Sequence, residues 1–243
     1  MKKDARDQLF SHPLGEVSGF SFDERVVSVF PDMIRRSVPG YQSVVSMTGL
    51  LAQQYAKSNT NCYDLGCSLG ASTLSMAVRV PKSCNIIAVD NSAAMLSEFE
   101  RLLENQPEAD QIRLIESDVR NLNMENASFV AMNFTLQFVP IDDRDILMRG
   151  IYESLIPGGA LLISEKIEVE NAQMNRAFIN AHHEFKKAQG YSDLEIAQKR
   201  QAIETVLIPE TIEAHQARFK RAGFQISAVW FQCLNFCSLI AQK

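Results

Sequence analysis

The sequence predicts an α/β fold: a mostly parallel sheet with helices on both faces. Three observations carry that prediction. From residue 61 to residue 164, apolar runs of strand length alternate with stretches whose apolar residues recur at helical spacing. The first two runs each end in an acid, Asp64 and Asp90, and a glycine turn follows the first. The length, 243 residues, suits one α/β domain able to bury a core. The order β-α-β-α-β-β-α-β over 61–164 then implies right-handed crossovers between parallel strands.

Residues 1–20 read as irregular and mobile. Past Asp23, Val26, Val27 and Phe30 predict a short helix ended by Pro31, with a second turn over 33–36. Pro39-Gly40-Tyr41 reads as a turn, and Val44, Met47, Leu51 and Tyr55 share one face of the next helix. Residues 1–57 are expected to form a lid over a nucleotide-binding core at 61–164. Within that core the glycine turn leads to a helix over 71–80, and 85–90 is the second strand. Ser92 caps a helix reaching Leu103. Strands follow at 112–116 and 129–133, with little room for a helix between them. A helix over 142–155, a turn at Pro157-Gly158-Gly159 and a strand over 160–164 complete the alternation. Residues 168–206 form a long, mostly helical insert. In 207–243, Pro209 opens a helix ending at Gly223, and 225–231 with 236–242 make a closing pair of strands.

Composition excludes several classes. The formal net charge is −5 and lysines and arginines do not cluster, which argues against autonomous binding to nucleic acid. No apolar run approaches membrane-spanning length and no signal-peptide core opens the chain, so it is read as cytoplasmic. The five cysteines are an odd number without zinc-knuckle spacing and read as reduced thiols. Adjacent histidines on a helix point about 100° apart, so His182 and His183 read as surface or hydrogen-bonded residues and no metal site is expected.

The chemistry is concentrated at the carboxyl ends of the strands, where open parallel sheets bind ligands. Gly66 and Gly70 let the backbone take positive φ and approach a ligand, and Ser68 with the amides of the next helix can meet its polar atoms. Asp64 can order that turn or accept from an ammonium group. Asp90 stands where α/β nucleotide-binding folds place a carboxylate on ribose hydroxyls. Asp118 and the Val119 amide can bracket the edge of an adenine ring. Asn133 is placed to face a cofactor or to cap, and Tyr41 to fold over a ligand or to join the core. The glycines lack the Gly-x-Gly-x-x-Gly spacing of dinucleotide folds and no lysine follows them, so a phosphate loop is excluded.

Asp64-Leu65-Gly66-Cys67-Ser68-Leu69-Gly70 resembles motif I of the class I S-adenosylmethionine (SAM) methyltransferases, Asp-x-Gly-x-Gly-x-Gly, with Ser68 in place of the middle glycine. A narrower resemblance runs from the N-terminal twenties to Trp230-Phe231-Gln232-Cys233. The stretches Phe-Asp-Glu-Arg-Val (22–26), Val-Phe-Pro-Asp-Met-Ile (29–34), Arg-Ser-Val-Pro-Gly-Tyr (36–41), Tyr-Asp-Leu-Gly-Cys-Ser-Leu-Gly (63–70), Asn-Phe-Thr-Leu-Gln-Phe (133–138) and Gln-Lys-Arg (198–200) are similar to those of the bacterial carboxy-S-adenosyl-L-methionine synthases. The resemblance implies a Rossmann-like class I methyltransferase fold with a seven-stranded sheet, extra N-terminal helices and the insert before the last helix and strand pair. It implies an enzyme that converts SAM and prephenate to carboxy-SAM, phenylpyruvate and water. A partner enzyme would use the product to carboxymethylate a wobble uridine of tRNA.

Carried onto this sequence, the family's SAM contacts fall on Tyr41, Gly66, Cys67, Ser68, Asp90, Asn91, Asp118, Val119 and Asn133, and its carboxylate-binding arginine on Arg200. An arginine suits that role because its guanidinium grips a carboxylate in a bidentate fork. The resemblance also suggests a homodimer, with 168–206 as the interface candidate. An ordinary SAM-dependent methyltransferase and a non-catalytic SAM-binding module are the competing readings.

Overall fold

The computed structural model of the chain describes residues 5–15, 19–204 and 206–243. Of the stretches considered above, 1–4 and 16–18 in the N-terminal segment and 205 in the insert lie outside the described residues. One sheet of seven strands organises the rest: β1 (Asn61–Leu65), β2 (Asn85–Asp90), β3 (Ile112–Glu116), β4 (Ala127–Asn133), β5 (Leu155–Lys166), β6 (Ile226–Cys233) and β7 (Phe236–Gln242). Their order is β3-β2-β1-β4-β5-β7-β6. The first five are parallel, and β7 runs antiparallel between β5 and β6. The helices are α1 (Glu24–Ser37), α2 (Tyr41–Tyr55), α3 (Ala71–Ala77), α4 (Ala93–Leu103), α5 (Ile141–Ser154), α6 (Ala172–Ala188), α7 (Asp193–Ile203) and α8 (Ile212–Ala222). None of the described helices is long and apolar enough to cross a membrane.

The central strands β1, β4 and β5 are buried and largely apolar on both faces because side chains alternate across a sheet covered on both sides there, whereas the edge strands β3 and β6 are partly exposed. Tyr63, Leu65, Val130, Met132, Leu161 and Ile163 point to the face shared with Leu147, Met148 and Ile151 of α5 and Phe219 of α8. Their neighbours Cys62, Phe129, Ala131, Ala160 and Leu162 point to the other face, against Ala52 of α2 and Met76 and Ala77 of α3.

Four expectations need correction. Helix α1 runs unbroken through Pro31. Asp23 caps it by accepting from the Arg25 and Val26 amides, and Val26, Val29 and Met33 bury against Met95, so packing outweighs the one hydrogen bond proline removes. Pro157-Gly158-Gly159 lies inside β5 as a swelling of the strand: Leu155 faces Ala127 and Ala160 faces Phe129. Its backbone is satisfied by the last residue, since the Gly158 amide donates to the Lys243 carbonyl and the Lys243 amide to the Gly159 carbonyl. The last helix starts at Ile212, past Pro209, with Thr211 as its cap.

The N-terminal segment 5–15, expected to be mobile, is tied down over α7. The buried Asp7 carboxylate accepts from the Tyr191 hydroxyl (2.5 Å) and from Lys199 Nζ (3.3 Å). The Gln198 side chain accepts from the Leu14 amide (2.7 Å) and donates to the Phe10 and His12 carbonyls, both at 2.9 Å. Arg36 stacks on the Tyr191 ring with its guanidinium carbon 3.8 Å from the centroid.

The loop after β4 is anchored by a second buried network. Arg144 has no exposed side-chain surface; it donates to the Val139, Gln137 and Ile208 carbonyls and pairs with Glu210, which also accepts from Arg218 at 2.7 Å. Burial alone would raise the Glu210 carboxyl, but hydrogen bonds from Arg218 and Arg144 hold it below its ordinary 4.5. Glu210→Gln is expected to destabilise the protein by about 3–5 kcal/mol in denaturant unfolding, the range for stranding a buried charge. A carboxyl with a depressed folded pKa contributes fully above its unfolded value and loses that contribution as pH falls through the folded one. The variant is therefore expected to lose less stability than the native protein on acidification below pH 4.5.

Candidate functional site

Strand order reverses between β1 and β4, and a cavity of ≈ 680 Å³ opens outside the carboxyl ends of the strands there. That volume is in the range of small-molecule sites. The loops after β1, β2, β3 and β4 and the end of β5 form its floor, with α1, the start of α2, α6 and α7 around it. Phe22 packs edge-on against Phe30 and Phe138 and makes one wall apolar.

The glycine turn is fixed to the end of β2. The Gly66 and Cys67 amides donate to the Val89 carbonyl at 2.8 and 2.9 Å. The Ser68 amide donates to Asp90 Oδ2 at 2.8 Å, and the Ser92 amide to Asp90 Oδ1 at 2.9 Å. Gly66 and Gly70 have φ of 80° and 79°. A Cβ at Gly66 would meet Thr135 Oγ1 at 2.1 Å, and one at Gly70 would meet Phe99 Cζ at 1.9 Å, so the turn needs glycine for space as well as for backbone angle. Ser68 holds φ 51° and turns its hydroxyl to Met95 Sδ (3.4 Å).

Two carboxyls face the cavity from adjacent strands. Asp64 is buried and accepts from the Thr73 hydroxyl at 2.5 Å. Burial pushes it up to about 6, with Asp90 adding repulsion. Burial also raises Asp90, although the Ser92, Ser68 and Asn91 amides work the other way. Both are in surroundings that a bound cation would relieve. Asn91 borders the cavity beside them, as does the buried Val119.

Other predicted residues have partners that sequence reasoning did not supply. The Asp118 carboxylate caps the 3-10 turn Val119–Asn121 and is gripped by Arg120 (Nη2–Oδ2 2.6 Å), whose hydrogen bonds hold it low. The Asn133 amide donates to Thr48 and Ser72 and accepts from Ser164, which ties α2, α3 and β5 together under the cavity. Tyr41, at the start of α2, stands with its ring 6.3 Å from that of Phe134. Burial keeps the Tyr41 hydroxyl protonated well beyond its usual range. Phe134 itself takes φ 60°, and Glu165 braces the turn that follows by accepting from the Leu136 and Gln137 amides, two and three residues on. Burial pushes the Glu165 carboxyl up to about 8.

Arg200 of α7 stands on the opposite wall. Its side chain is 52% exposed and its Nε pairs with Glu204 one turn on, an exposed pair that holds it weakly. All ten residues singled out above, from Tyr41 to Arg200, border this one cavity. Sequence reasoning passed over Lys166 and Lys186, which share the wall with Arg200, and gave Lys199 no role. The signal for Lys166 was available: it closes an apolar strand, as Asp90 and Asn133 do. His182 is buried and hydrogen-bonded through Nε2 to the Ser37 carbonyl (2.7 Å), whereas His183 is half-buried on the cavity wall.

Comparison with known proteins agrees with this geometry. The methyltransferase domain family matches residues 63–159. A putative S-adenosyl-L-methionine-dependent methyltransferase from Methanococcus maripaludis superposes with a TM-score of 0.62 at 18% identity, covering 95% of this chain and 97% of that one. Human N-acetylserotonin methyltransferase, solved in complex with SAM, gives 0.60 at 16% identity over 100% of this chain and 64% of that one. The fold is the Rossmann-like class I SAM methyltransferase fold.

Two much nearer relatives narrow the class. The carboxy-S-adenosyl-L-methionine synthase of Enterobacter sp. (strain 638) is 50% identical over 98% of this chain and 97% of its own length, and that of Cronobacter sakazakii 49% identical over the same shares. This chain belongs to the carboxy-S-adenosyl-L-methionine synthase family.

Asp90→Ala removes a charged acceptor and the anchor of the glycine turn together. SAM affinity measured by calorimetry is expected to fall about tenfold to a hundredfold, the range for losing a hydrogen bond to a charged group. An unchanged affinity would remove Asp90 from the nucleoside site.

Proposed function

We propose that this chain converts SAM and prephenate into carboxy-SAM, phenylpyruvate and water. The observation that carries the reading is the division of charge across one cavity, with Asp64 and Asp90 at one end and Lys166, Lys186 and Arg200 at the other. A sulfonium nucleoside suits the first end and an anionic co-substrate the second. Family membership supports the same reading, whereas an ordinary methyl transfer has no general use for a wall of cations.

In the proposed sequence, the bond from the prephenate ring to its carboxylate breaks to give CO2. The released electron pair aromatises the ring and expels the ring hydroxyl as hydroxide. Hydroxide takes a proton from the sulfonium methyl and becomes water, and the resulting carbanion attacks CO2. Arg200 receives the new carboxylate, and the apolar wall of Phe22, Phe30 and Phe138 keeps bulk water from the CO2 and the carbanion. The SAM contacts are assigned to Tyr41, Gly66, Cys67, Ser68, Asp90, Asn91, Asp118, Val119 and Asn133. The enzyme works in the cytoplasm, and its product is the donor for a separate tRNA carboxymethyltransferase.

Mass spectrometry after incubation with SAM and prephenate tests the reaction. A nucleoside heavier than SAM by one CO2 is expected, and Arg200→Ala is expected to yield it about 10²-fold more slowly while still binding SAM, as for loss of one transition-state donor. S-adenosylhomocysteine with a methylated acceptor, or unchanged SAM, would replace the reading with its competitors.

We also assign a homodimer joined through the insert of α6 and α7, whose outer surfaces expose Met174 and Leu194. Sedimentation equilibrium is expected to give twice the chain mass, and Met174→Glu with Leu194→Glu to give monomer. A native protein that sediments as a monomer at micromolar concentration would end that assignment.

A further inference from the structure

The cationic wall holds more charge than one product carboxylate requires. Lys166 ends β5 and Lys186 lies on α6; both border the cavity, and neither ammonium has a hydrogen bond or ion pair with another described residue. Lys186 is only 7% exposed. Both side chains are largely buried while their ammoniums open on the cavity, so two like charges stand together with no counter-charge from a described residue within ion-pair distance, an arrangement that a bound anion would relieve. Burial, then the like charges of Lys166, Lys199 and Arg200, bring Lys186 down to about 8. Lys166 is lowered by burial too, with Glu204 opposing and Arg200 adding to the shift.

The neighbouring cations are otherwise engaged. Lys199 is bound to Asp7 and Ser37 and holds the N-terminal segment. Arg200 rests on Glu204. A second, independent feature lies on the same wall. Asn235 is 1% exposed, and its Oδ1 has no hydrogen-bond partner. Its backbone carbonyl accepts from the Ile167 amide (2.8 Å), which sets it one strand across from Lys166. Two unpartnered ammoniums thus face one space at the end away from the two carboxyls, and the Asn235 side chain, with its orphan oxygen, borders the same space.

We propose that Lys166 and Lys186 form a dicarboxylate subsite that selects the anionic co-substrate, with the Asn235 side chain meeting its hydroxyl and Arg200 left for the carboxylate made in the reaction. This rests on the function proposed above and adds the residues that choose the co-substrate. One ammonium for each carboxylate explains why the wall carries two lysines, each a compact point charge, where a single arginine would grip only one group.

The test separates binding from turnover. Prephenate is titrated by calorimetry into protein saturated with S-adenosylhomocysteine, which has no reactive methyl. Lys166→Met and Lys186→Met are each expected to weaken prephenate about tenfold to a hundredfold, with S-adenosylhomocysteine affinity unchanged within about twofold, and Lys→Arg at either position to recover part of the loss. Thermal midpoints of the methionine variants are expected not to fall, since an unpartnered buried charge has gone. Lys166→Gln and Lys186→Gln replace any methionine variant that fails to fold. Unchanged prephenate affinity in both positions overturns the subsite, and so does a parallel loss of S-adenosylhomocysteine affinity, which would place the lysines on the amino-acid end of SAM. Native protein that binds no prephenate overturns it as well. Native protein that binds prephenate but forms no carboxylated nucleoside defeats the reaction and leaves the subsite standing.

Discussion

The Asp90 carboxylate accepts one amide from the glycine turn after β1 and another from the start of α4, and that double acceptance ties two loops into one surface. The two glycines of the turn offer no side chain to hold it, because Gly66 and Gly70 must stay bare for Thr135 and Phe99 to fit, and the Ser68 hydroxyl reaches only the Met95 sulfur. Its position is therefore borrowed from the end of the neighbouring strand. A carboxylate can do this and still offer lone pairs to a ligand, since each oxygen accepts more than one hydrogen bond. The fold and the acidic end of the cavity depend on the same atoms.

The cavity then separates charge by strand. Carboxyls stand next to the end of β1 and at the end of β2, the amide of Asn133 closes β4, and an ammonium closes β5, so polarity changes sign across the strand order reversal. A low-dielectric space with opposite charge at its ends orients a cation and an anion head to head before any bond changes. The aromatic residues from α1 and the loop after β4 keep the space between those ends apolar. The chemistry proposed here asks the protein mainly for that alignment.

What the sequence made legible follows from where information is local. Strands β2 and β3 and helix α4 with its Ser92 cap were readable to the residue, because each is a short apolar run closed by a polar residue or a cap. Pro31 and Pro157 misled because both are breakers by local rules, and what overrides them comes from afar: Met95 packing beneath α1, and Lys243 supplying hydrogen bonds to the swelling in β5. The acidic end of the site was legible through strand-end logic. Arg200 came only from family resemblance, since an exposed helical arginine has no local signature, and Lys186 is brought in by the packing of α6, which no spacing rule reports.

The clasp between Asp7 and Lys199 has a temporal side. The two residues are separated by 192 positions, so on a ribosome the acid emerges long before its base exists. At about 5–20 residues per second the wait is roughly ten to forty seconds. During that interval β1 to β5 are all synthesised, Lys166 with them, while α7 comes at its end. Such a chain lays down the strand ends proposed for the nucleoside before α7 supplies Lys199 and Arg200, so the order of synthesis separates the two ends of the cavity in time.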